Sequence, residues 1–344
     1  MQITAADLSI LVEGVLEGDP NIIISGPSRI ENGAEGTISF LANMKYEPFI
    51  YTSKASAFLV NHDFQPSQQI DATLIRVNDV YKTITFLLEK FDEKVYKKPE
   101  ISKFAIIDGK AKLGKHLSIG HHTIIEANVE IGDNCEIGHL VYIEDGVKIG
   151  NDVTIYAGSK ILGKSLIGNN CVIQSNTVVG ADGFGYLPED NFYKKVPQLG
   201  NVILEDFVEI GSNCVIDRAV MGSTIIREGA KLDNLIQVGH NVEIGAHTVV
   251  AAQVGVAGSS TIGEWAQIGG QVGISGHIKI GDKVKIQAKS GVAGNIENDS
   301  VLAGNPAFNY SKFNRSYVIY RKLPELEERL IALEEKLKAI QDKS

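Results

Sequence analysis

A histidine in the stretch "NLIQVGHNVEIG", residues 234–245, is the residue of this sequence best suited to acid–base chemistry. An imidazole titrates near neutral pH and can take a proton as a general base. The stretch repeats apolar, Gly and polar residues every six positions, and His240 lies two residues after the aliphatic Val238. That position points outward from the repeat. Taken alone, it favours a solvated polar side chain over a catalytic one.

The repeat that contains His240 extends over most of the chain. Aliphatic residues recur at every sixth position in three blocks, which span residues 101–179, 204–216 and 226–292. The next residue is often Gly, and the fourth residue after each aliphatic is usually small or β-branched. Three such hexads per coil form a triangular parallel β-helix with 18 residues per coil. We expect the glycines to lie where the backbone turns.

Stacking of the coils gives His240 a distinctive environment. One coil beyond it lies Gly258, and one coil further lies Gly276, which is followed by His277. The histidine therefore overlooks bare backbone, whose amides could stabilise a developing oxyanion while His240 takes a proton. This arrangement suits acyl transfer without a protein nucleophile.

A rival site is formed by His121 and His139, which also stack one coil apart, with His116 and His122 nearby. Three histidines shared between subunits hold zinc in the gamma-class carbonic anhydrases, which are hexapeptide proteins. Supporting carboxylates are not evident in the sequence around this cluster. A polar ladder on a solvent-facing corner explains the stack adequately, and we predict that the protein has no metal site.

Composition limits the classes of partner. The chain has 344 residues and a formal charge of -9, which argues against general affinity for nucleic acid. Its apolar runs are far shorter than the roughly 20 residues that cross a bilayer, and its first residues do not resemble a secretory leader. We expect a cytoplasmic protein without stable membrane insertion. Its three cysteines occupy inward positions of the repeat, so we expect them to be buried and reduced: Cys135, Cys171 and Cys214.

Three regions follow from these patterns. We predict an α/β domain at 1–98, a β-helix at 99–305 with extruded loops at 181–201 and 217–225, and a helical extension at 306–344. The first domain should begin with a helix capped by Thr4 and ending near Gly18, followed by strands in "ASAFLVN" and "ATLIRVN" and a helix in "VYKTITFLLEKFDEK".

The C-terminal extension carries a heptad pattern, which is typical of helices that associate. A triangular prism with flat sides also favours three-fold association, and we predict a homotrimer. The seam consists of Leu326, Leu330, Leu333, Leu337 and Ile340.

Over almost its whole length the chain resembles the UDP-3-O-(3-hydroxyacyl)glucosamine N-acyltransferases of lipid A biosynthesis in Gram-negative bacteria. The matching motifs are "TISFLANMKY", "GADGFGY", "KLDNLIQVGHNVEIG", "GISGHIKIGD" and "AGNPA". The sister O-acyltransferase shares only the prism, since it lacks such an N-terminal domain. The resemblance implies a mainly β fold: a left-handed parallel β-helix with a small N-terminal α/β domain and a C-terminal helical segment.

The resemblance also implies roles for individual residues. His240 matches the base that deprotonates the glucosamine 2-amine as it attacks a thioester, without a covalent intermediate on the protein, and Gly258 matches the backbone oxyanion donor. Substrate-binding positions are His277, Asp233 and Asn234, the last two without a defined role. The uridine site matches Phe40, Asn43 and Tyr46, where two rings would sandwich the uracil. From spacing alone, a core position on a strand is the better explanation of Phe40.

The acyl donor implied by the resemblance is acyl carrier protein, which delivers the acyl group on its phosphopantetheine, so no cofactor of the protein's own is expected. Between Pro306 and Pro324 the chain has basic and no acidic residues. These could steer an acidic carrier, or they could merely offset the acidic helix that follows. The basic residues are Lys312, Arg315, Arg321 and Lys322.

Other functions remain open at the level of sequence. An acetyl-CoA-dependent N-acetyltransferase of nucleotide sugars would use the same prism with a shorter acyl pocket. A trimeric scaffold would have no turnover and would tolerate His240→Ala.

Overall fold

The computed structural model describes residues 2–91, 100–305 and 307–341. The chain forms two compact units, residues 1–97 and 98–344. Among the described residues, no helix has both the length and the apolar character needed to cross a membrane.

The first unit is an α/β domain built on a mixed five-stranded sheet. Its helices are α1 (Ala5–Leu11), α2 (Glu47–Ile50) and α3 (Val80–Phe91), and short 3-10 turns span Ile30–Asn32 and Met44–Tyr46. A separate antiparallel pair joins Ile3–Thr4 to Ile23–Ile24. Apolar clusters cover both faces of the sheet. The strands, in spatial order, are Val15–Glu17, Thr73–Val77, Ala57–Asn61, Thr37–Leu41 and Gly26–Pro27.

The first helix is capped as predicted but is shorter than predicted. The side chain of Thr4 accepts a hydrogen bond from the amide of Asp7 at 3.1 Å, but α1 ends at Leu11 instead of near Gly18. The chain reverses at Glu13, whose φ is 52°, and at Gly14. A side chain at Gly14 would lie 2.7 Å from Ile75. The following residues therefore pair with Thr73–Val77 as an edge strand.

The second unit is a parallel β-helix in which short strands form three sheets, called here the first, second and third faces. Each coil adds one strand to every face, and paired residues are usually 18 apart, as in Ile125 and Ile143. Within these three faces every strand pair is parallel. The fold is the predicted one, mainly β with a left-handed parallel β-helix, a small N-terminal α/β domain and a C-terminal helical segment.

The bounds of the strands follow the hexad repeat. The first face contains Ile106–Ile107, Ile124–Ile125, Tyr142–Ile143, Lys160–Ile161, Val178–Asp182, Val215–Arg218, Gln237–Val238, Gly255–Val256, Gly273–Ile274 and Gly291–Val292. The second face contains Lys112–Leu113, Glu130–Ile131, Lys148–Ile149, Leu166–Ile167, Asn201–Leu204, Ser223–Ile226, Glu243–Ile244, Thr261–Ile262 and Lys279–Ile280. The third face contains Ser118–Ile119, Glu136–Ile137, Thr154–Ile155, Val172–Ile173, Glu209–Ile210, Lys231–Leu232, Val249–Val250, Gln267–Ile268, Lys285–Ile286 and Val301–Leu302.

The interior of the prism holds the aliphatic residues of the repeat together with the small residues four positions later. The three cysteines are among these small residues, and all are fully buried and free. The thiol of Cys171 donates to the carbonyl oxygen of Glu205 at 3.1 Å, and burial raises the pKa of this thiol to about 11. The prediction of buried, unpaired thiols is therefore confirmed.

The corners correct our expectation for the glycines. The residue with positive φ in most corners is not Gly: Asn134, for example, has a φ of 59°. The repeat's Gly instead lies two residues earlier, where successive coils approach each other. A side chain at Gly132 would lie 2.6 Å from the carbonyl oxygen of Gly150 in the next coil. Close approach between coils, not left-handed backbone, therefore requires the glycine.

Polar side chains form a ladder along the corners. The side chain two residues after an aliphatic accepts the backbone amide of the equivalent residue one coil earlier. Examples are the amide of Asp133 to Asn151 at 2.8 Å and the amide of Asn151 to Asn169 at 2.9 Å. Each link satisfies a backbone donor that the strands leave unpaired.

Strands extend into both of the predicted loops. The first loop carries a β-hairpin of Tyr186–Glu189 and Phe192–Lys195, called here the hairpin. The strand Val178–Asp182 also runs beyond the end of the regular repeat, with a register shift at Gly180. Asp217 and Arg218, which we expected in the second loop, lie at the end of the strand Val215–Arg218. This strand pairs with Val178–Asp182.

The C-terminal segment contains α4 (Tyr310–Tyr320) and α5 (Leu323–Gln341). Asn309 caps α4 by accepting the amide hydrogens of Ser311 and Lys312. All described residues of both helices are exposed in the single chain. The apolar seam of α5 is exposed as well, with Leu330 at 58% and Leu337 at 59%.

Candidate active site

A cavity of about 560 Å³ lies on the first face beside the base of the hairpin. Its floor is the backbone of the coils that follow His240, and its wall comes from the segment before the hairpin. The lining residues are Asp182, Gly183, Phe184, Tyr186, Lys195, Asp217, Gln237, Gly239, His240, Val256, Ala257 and Gly258.

His240 is held at the corner after the strand Gln237–Val238. Its Nδ1 lies 3.2 Å from Oδ1 of Asn241. The same Oδ1 accepts the amide hydrogen of Val220 at 3.0 Å, and Nδ2 of Asn241 donates to the carbonyl oxygen of Met221. Because that amide oxygen is an acceptor, it favours the tautomer with hydrogen on Nδ1. Nε2 is then the basic nitrogen, as general-base catalysis requires.

Gly258 lies directly beneath the imidazole. A methyl group added at Gly258 would lie 2.7 Å from Nε2 of His240, so the ring rests on this backbone. In the described part of the chain the amide of Gly258 has no hydrogen-bond acceptor. The corner ladder is interrupted here, because the equivalent residue one coil later is Gly276, which has no side chain to accept this amide hydrogen. The predicted base and the predicted oxyanion donor are therefore brought together.

The segment before the hairpin packs closely on His240. A methyl group at Gly183 would lie 2.7 Å from Cβ of His240 and 3.1 Å from Oε1 of Gln198. Gln198 is 6% exposed, and its Oε1 is buried without a hydrogen-bond partner among the described residues. A buried amide oxygen without a donor is uncommon in proteins. It lies next to Gly183, which lines the cavity.

A network of charges surrounds the cavity. Arg218 contacts Asp182 at 3.5 Å and Glu144 at 3.8 Å, and Lys195 pairs with the same Asp182. Asp217 is 7% exposed and accepts a hydrogen bond from Gln237 at 3.0 Å. Burial raises the pKa of Asp217 to about 6, against the opposing effects of the Gln237 hydrogen bond and the His240 charge.

Of the other predicted residues of the prism, His277 lies at the same corner as His240, whereas Asp233 and Asn234 lie at another. His277 is exposed one coil beyond Gly258, and its amide donates to the carbonyl oxygen of Gly258 at 3.1 Å. Asp233 and Asn234 follow a strand of the third face, whereas His240 follows one of the first face. Asn234 is a ladder residue: Oδ1 accepts the amide hydrogen of Ser212 at 2.7 Å, and Nδ2 donates to Asp233 at 2.8 Å.

The predicted uridine residues lie on consecutive elements of the first unit. The ring of Phe40 is half-buried in the strand Thr37–Leu41, with its centroid 6.5 Å from that of Tyr81. Asn43 caps a 3-10 turn through the amide of Lys45. Tyr46 is 41% exposed, and its ring lies 6.4 Å from that of Phe49. Each ring thus contacts an aromatic neighbour of its own.

The basic residues of the C-terminal segment are exposed, and none of them forms an ion pair with a described residue. Within residues 307–322, which the structure describes, no ion pair involves them. Lys312 and Arg315 lie in α4, and Arg321 and Lys322 follow it.

The stacked histidines are part of the corner ladder. Nδ1 of His139 accepts the amide hydrogen of His121 at 2.7 Å, as carboxylates and amides do elsewhere in the ladder. Nδ1 of His121 lies 2.5 Å from the hydroxyl of Ser102. The ladder interpretation of this stack is therefore supported by its contacts. No group of three metal-ligating side chains occurs in the part of the chain that the structure describes.

Several residues of this site were not identified from the sequence. Asn241 looked like an ordinary polar residue after the histidine, and Gln198 lies in a segment without a repeat. Asp217 follows the aliphatic Ile216 at the break of the repeat, one coil before His240. This position in the sequence could have identified Asp217, because it places a carboxyl group on the coil next to that of His240.

Comparisons with known proteins show the family to which the chain belongs. A curated UDP-3-O-acylglucosamine N-acyltransferase of Christiangramia forsetii is 48% identical over 338 residues, which cover 98% of this chain and 99% of the relative. The chain belongs to the UDP-3-O-acylglucosamine N-acyltransferase family. A second member, from Bacteroides thetaiotaomicron, is 50% identical over 330 residues, which cover 96% of this chain and 95% of the relative.

Family models match both parts of the chain. Residues 21–90 match the model described as UDP-3-O-(3-hydroxymyristoyl) glucosamine N-acyltransferase, LpxD. Residues 128–163 and 146–181 match the bacterial transferase hexapeptide model. Membership in this N-acyltransferase family makes the protein a transferase enzyme, and the resemblance to the family is confirmed.

Solved structures with similar coordinates include a UDP-N-acetylglucosamine acyltransferase from Campylobacter jejuni. It is 20% identical and has a TM-score of 0.49, covering 65% of this chain and 84% of that chain.

Proposed function

We propose that this protein transfers a 3-hydroxyacyl chain from acyl carrier protein to the 2-amine of UDP-3-O-(3-hydroxyacyl)glucosamine. The observation that carries the proposal is the pairing of His240 with Gly258. Nε2 of the imidazole lies over a backbone amide without an acceptor in the described chain. A base and an oxyanion donor at one point are what the attack of an amine on a thioester needs.

The reaction runs through one tetrahedral intermediate. The amine nitrogen attacks the thioester carbonyl carbon, Nε2 of His240 takes a proton from that nitrogen, and the amide of Gly258 donates to the oxyanion. The protonated His240 then gives its proton to the departing thiolate as the carbon–sulfur bond breaks. Oδ1 of Asn241 holds the ring in position through Nδ1 during both transfers.

Substrate binding extends this proposal to the other predicted residues. Phe40, Asn43 and Tyr46 bind the uridine, and His277, Asp233 and Asn234 contact the rest of the acceptor or the donor. Lys312, Arg315, Arg321 and Lys322 dock the acidic carrier protein, supported by the absence of ion pairs to them in the described chain. Because the carrier delivers the acyl group, the protein needs no cofactor of its own. Association into a homotrimer and a cytoplasmic location belong to the same proposal.

Mass spectrometry of the products tests this function. The protein is mixed with 3-hydroxyacyl carrier protein and either UDP-3-O-acylglucosamine or UDP-N-acetylglucosamine. We expect acylation of the free amine only, and a fall in kcat of about 10²- to 10⁴-fold in His240→Ala. Acylation of the 3-hydroxyl of the acetylated sugar would instead show the sister activity. Turnover only with acetyl-CoA, or no turnover, would also contradict the proposal.

A further inference from the structure

Asp217 is a carboxyl group in the cavity that the proposed reaction has not yet used. It follows the inward-facing Ile216 in the strand Val215–Arg218, whose neighbour on one side is Val178–Asp182 and on the other Gln237–Val238. Its side chain lines the same cavity as His240 and is only 7% exposed. A buried, ionisable oxygen therefore faces the place where the acceptor amine would react.

The carboxylate of Asp217 has little to neutralise it. Its hydrogen bond in the described structure comes from the neutral amide of Gln237, at 3.0 Å to Oδ2. The nearby cations are engaged elsewhere: Lys195 pairs with Asp182, and Arg218 donates to the carbonyl oxygen of Gly180 and contacts Asp182. A buried carboxylate without an ion pair favours a ligand that brings a positive charge.

The charges around Asp217 tune its affinity for a proton. Burial, aided by the charge of Asp182, raises its pKa to about 6 against the lowering effects of the Gln237 hydrogen bond and protonated His240. At neutral pH the group is therefore mostly ionised but is a much stronger base than an exposed aspartate. It can both bind an ammonium group and accept its proton.

Acylation of an amine creates a need for such a group. Amines titrate close to or above neutral pH, so part of the acceptor arrives as ammonium, which has no lone pair for attack. His240 can take one proton during the attack. The ammonium form must lose another proton first, and a second acceptor in the cavity supplies this step.

We propose that Asp217 binds the ammonium form of the acceptor's 2-amino group and takes its first proton, before His240 acts as the base for the attack. This inference rests on the proposed function and assigns a specificity residue to it. The N–H bond of the ammonium breaks, its electron pair stays on nitrogen, and the proton moves to Oδ1 of Asp217. The neutral amine then attacks the thioester, and Asp217 later releases its proton to water.

The inference explains how the cavity would distinguish an amine from its acylated product. An amide nitrogen carries no positive charge and is not basic, so it gains nothing from the carboxylate. The acceptor is therefore held more strongly than the product. Removing the carboxyl group should weaken binding of the acceptor but not binding of the product.

The test compares wild type with Asp217→Asn in kcat/KM between pH 5.5 and 9, with UDP-3-O-(3-hydroxyacyl)glucosamine as acceptor. Calorimetry measures the Kd of this acceptor and of its N-acylated product. We expect Asp217→Asn to lower kcat/KM about 10- to 100-fold at pH 7, the range for loss of a hydrogen bond to a charged group. The deficit should shrink as pH rises, since the free amine needs no second acceptor. The Kd of the product should not change.

Asp206→Asn is the matched control. The carboxyl of Asp206 accepts the amide hydrogen of Asn169 at 2.7 Å in the corner ladder, a role that asparagine fills elsewhere in the same ladder. A second variant, Asp217→Ser, removes the carboxyl without introducing an amide. The inference is overturned if Asp217→Asn keeps the wild-type pH profile, or if acceptor and product lose affinity equally. Failure of the proposed function is distinct, because wild type would then form no N-acylated product.

Discussion

At the scale of single residues, the contact between His240 and Gly258 is the feature with the most direct functional consequence. The imidazole packs on backbone where a side chain would otherwise project, and Asn241 fixes its other nitrogen. The imidazole can occupy this position only because Gly258 has no Cβ atom. Substitution of the glycine therefore moves the imidazole but leaves its chemical nature unchanged.

Gly258→Ala should impair catalysis while leaving the fold intact. Its Cβ would lie 2.7 Å from Nε2 of His240, so the ring must move away from the oxyanion donor. We expect kcat/KM to fall about a hundredfold, because displacement of a catalytic group by about 1 Å has this effect. The measurement is steady-state kinetics, with circular dichroism to check folding.

Gly109→Ala is the control for this substitution. It occupies the equivalent corner position several coils earlier, and a Cβ there meets nothing within 4 Å. Its activity should match that of wild type. Unchanged kinetics in Gly258→Ala would show that the imidazole does not work from its position over this backbone.

The second prediction at this scale concerns the contribution of Asp217 to the stability of the folded protein. A carboxyl whose pKa is raised to about 6 in the folded state binds a proton more tightly there than in the unfolded chain. Its favourable contribution is present at low pH and is lost as pH rises from the ordinary value of 3.8 through 6. Asp217→Asn should therefore gain stability relative to wild type as pH increases.

The measurement is the Tm of both proteins at pH 5 and pH 8. We expect the difference, variant minus wild type, to be larger at pH 8. Asparagine can still accept the hydrogen bond from Gln237 that Asp217 accepts. A difference that is constant with pH would mean that the carboxylate is not desolvated in the folded protein.

At the scale of elements, the corners of the prism divide two tasks between neighbouring residues. Gly132 lets adjacent coils approach, and Asn134 adopts the left-handed backbone. Asparagine tolerates this conformation better than most residues because its short polar side chain can bond locally. Here its Nδ2 donates to Asp152 in the next coil at 3.1 Å.

The division predicts that one substitution destabilises the fold and that the other has little effect. Gly132→Ala places a Cβ 2.6 Å from the carbonyl oxygen of Gly150, and overpacking of this kind costs about 1–3 kcal/mol. Asn134→Gly removes a residue with a φ of 59° and should be close to neutral. The urea midpoint of unfolding measures both. Equal loss in the two variants would mean that the glycine is needed for backbone conformation after all.

At the scale of the whole molecule, the exposed seam of α5 marks a surface that needs a partner. A lone helix of 19 residues with no buried side chain is only marginally stable in water. Its leucines repeat at heptad spacing, which suits association with copies of the same helix. The proposed homotrimer would cover them.

Replacing two seam residues should release this helix. In Leu330→Asp with Leu337→Asp, buried charge would prevent packing, and α5 should become rapidly cleaved by trypsin while the wild-type helix is protected. Mass spectrometry of the fragments gives the cleavage sites, and light scattering gives the mass of the assembly.

Ile331→Asp is the matched control, since Ile331 is 51% exposed but lies outside the seam. It should remain protected. Equally fast cleavage of α5 in wild type would show that the seam is not packed, and a monomeric mass would contradict the trimer.

The sequence by itself determined the prism and the position of the base in it. A six-residue period fixes which side chains point inward, so the parallel coils, the buried cysteines and the stacking of Gly258 under His240 follow from counting. The helix cap at Thr4 and the strands Ala57–Asn61 and Thr73–Val77 follow from local preference. These features depend on neighbours in the chain or on a fixed offset.

Only the tertiary structure decided what lies where the period breaks. The end of α1 at Leu11 depends on an edge strand that pairs with Thr73–Val77, more than fifty residues away. The burial of Asp217 and Gln198 beside His240 depends on how the first extruded loop folds back on the coils. The repeat does not encode such contacts, because they depend on packing between distant segments. The same packing determines the pKa of the carboxyl group in the cavity.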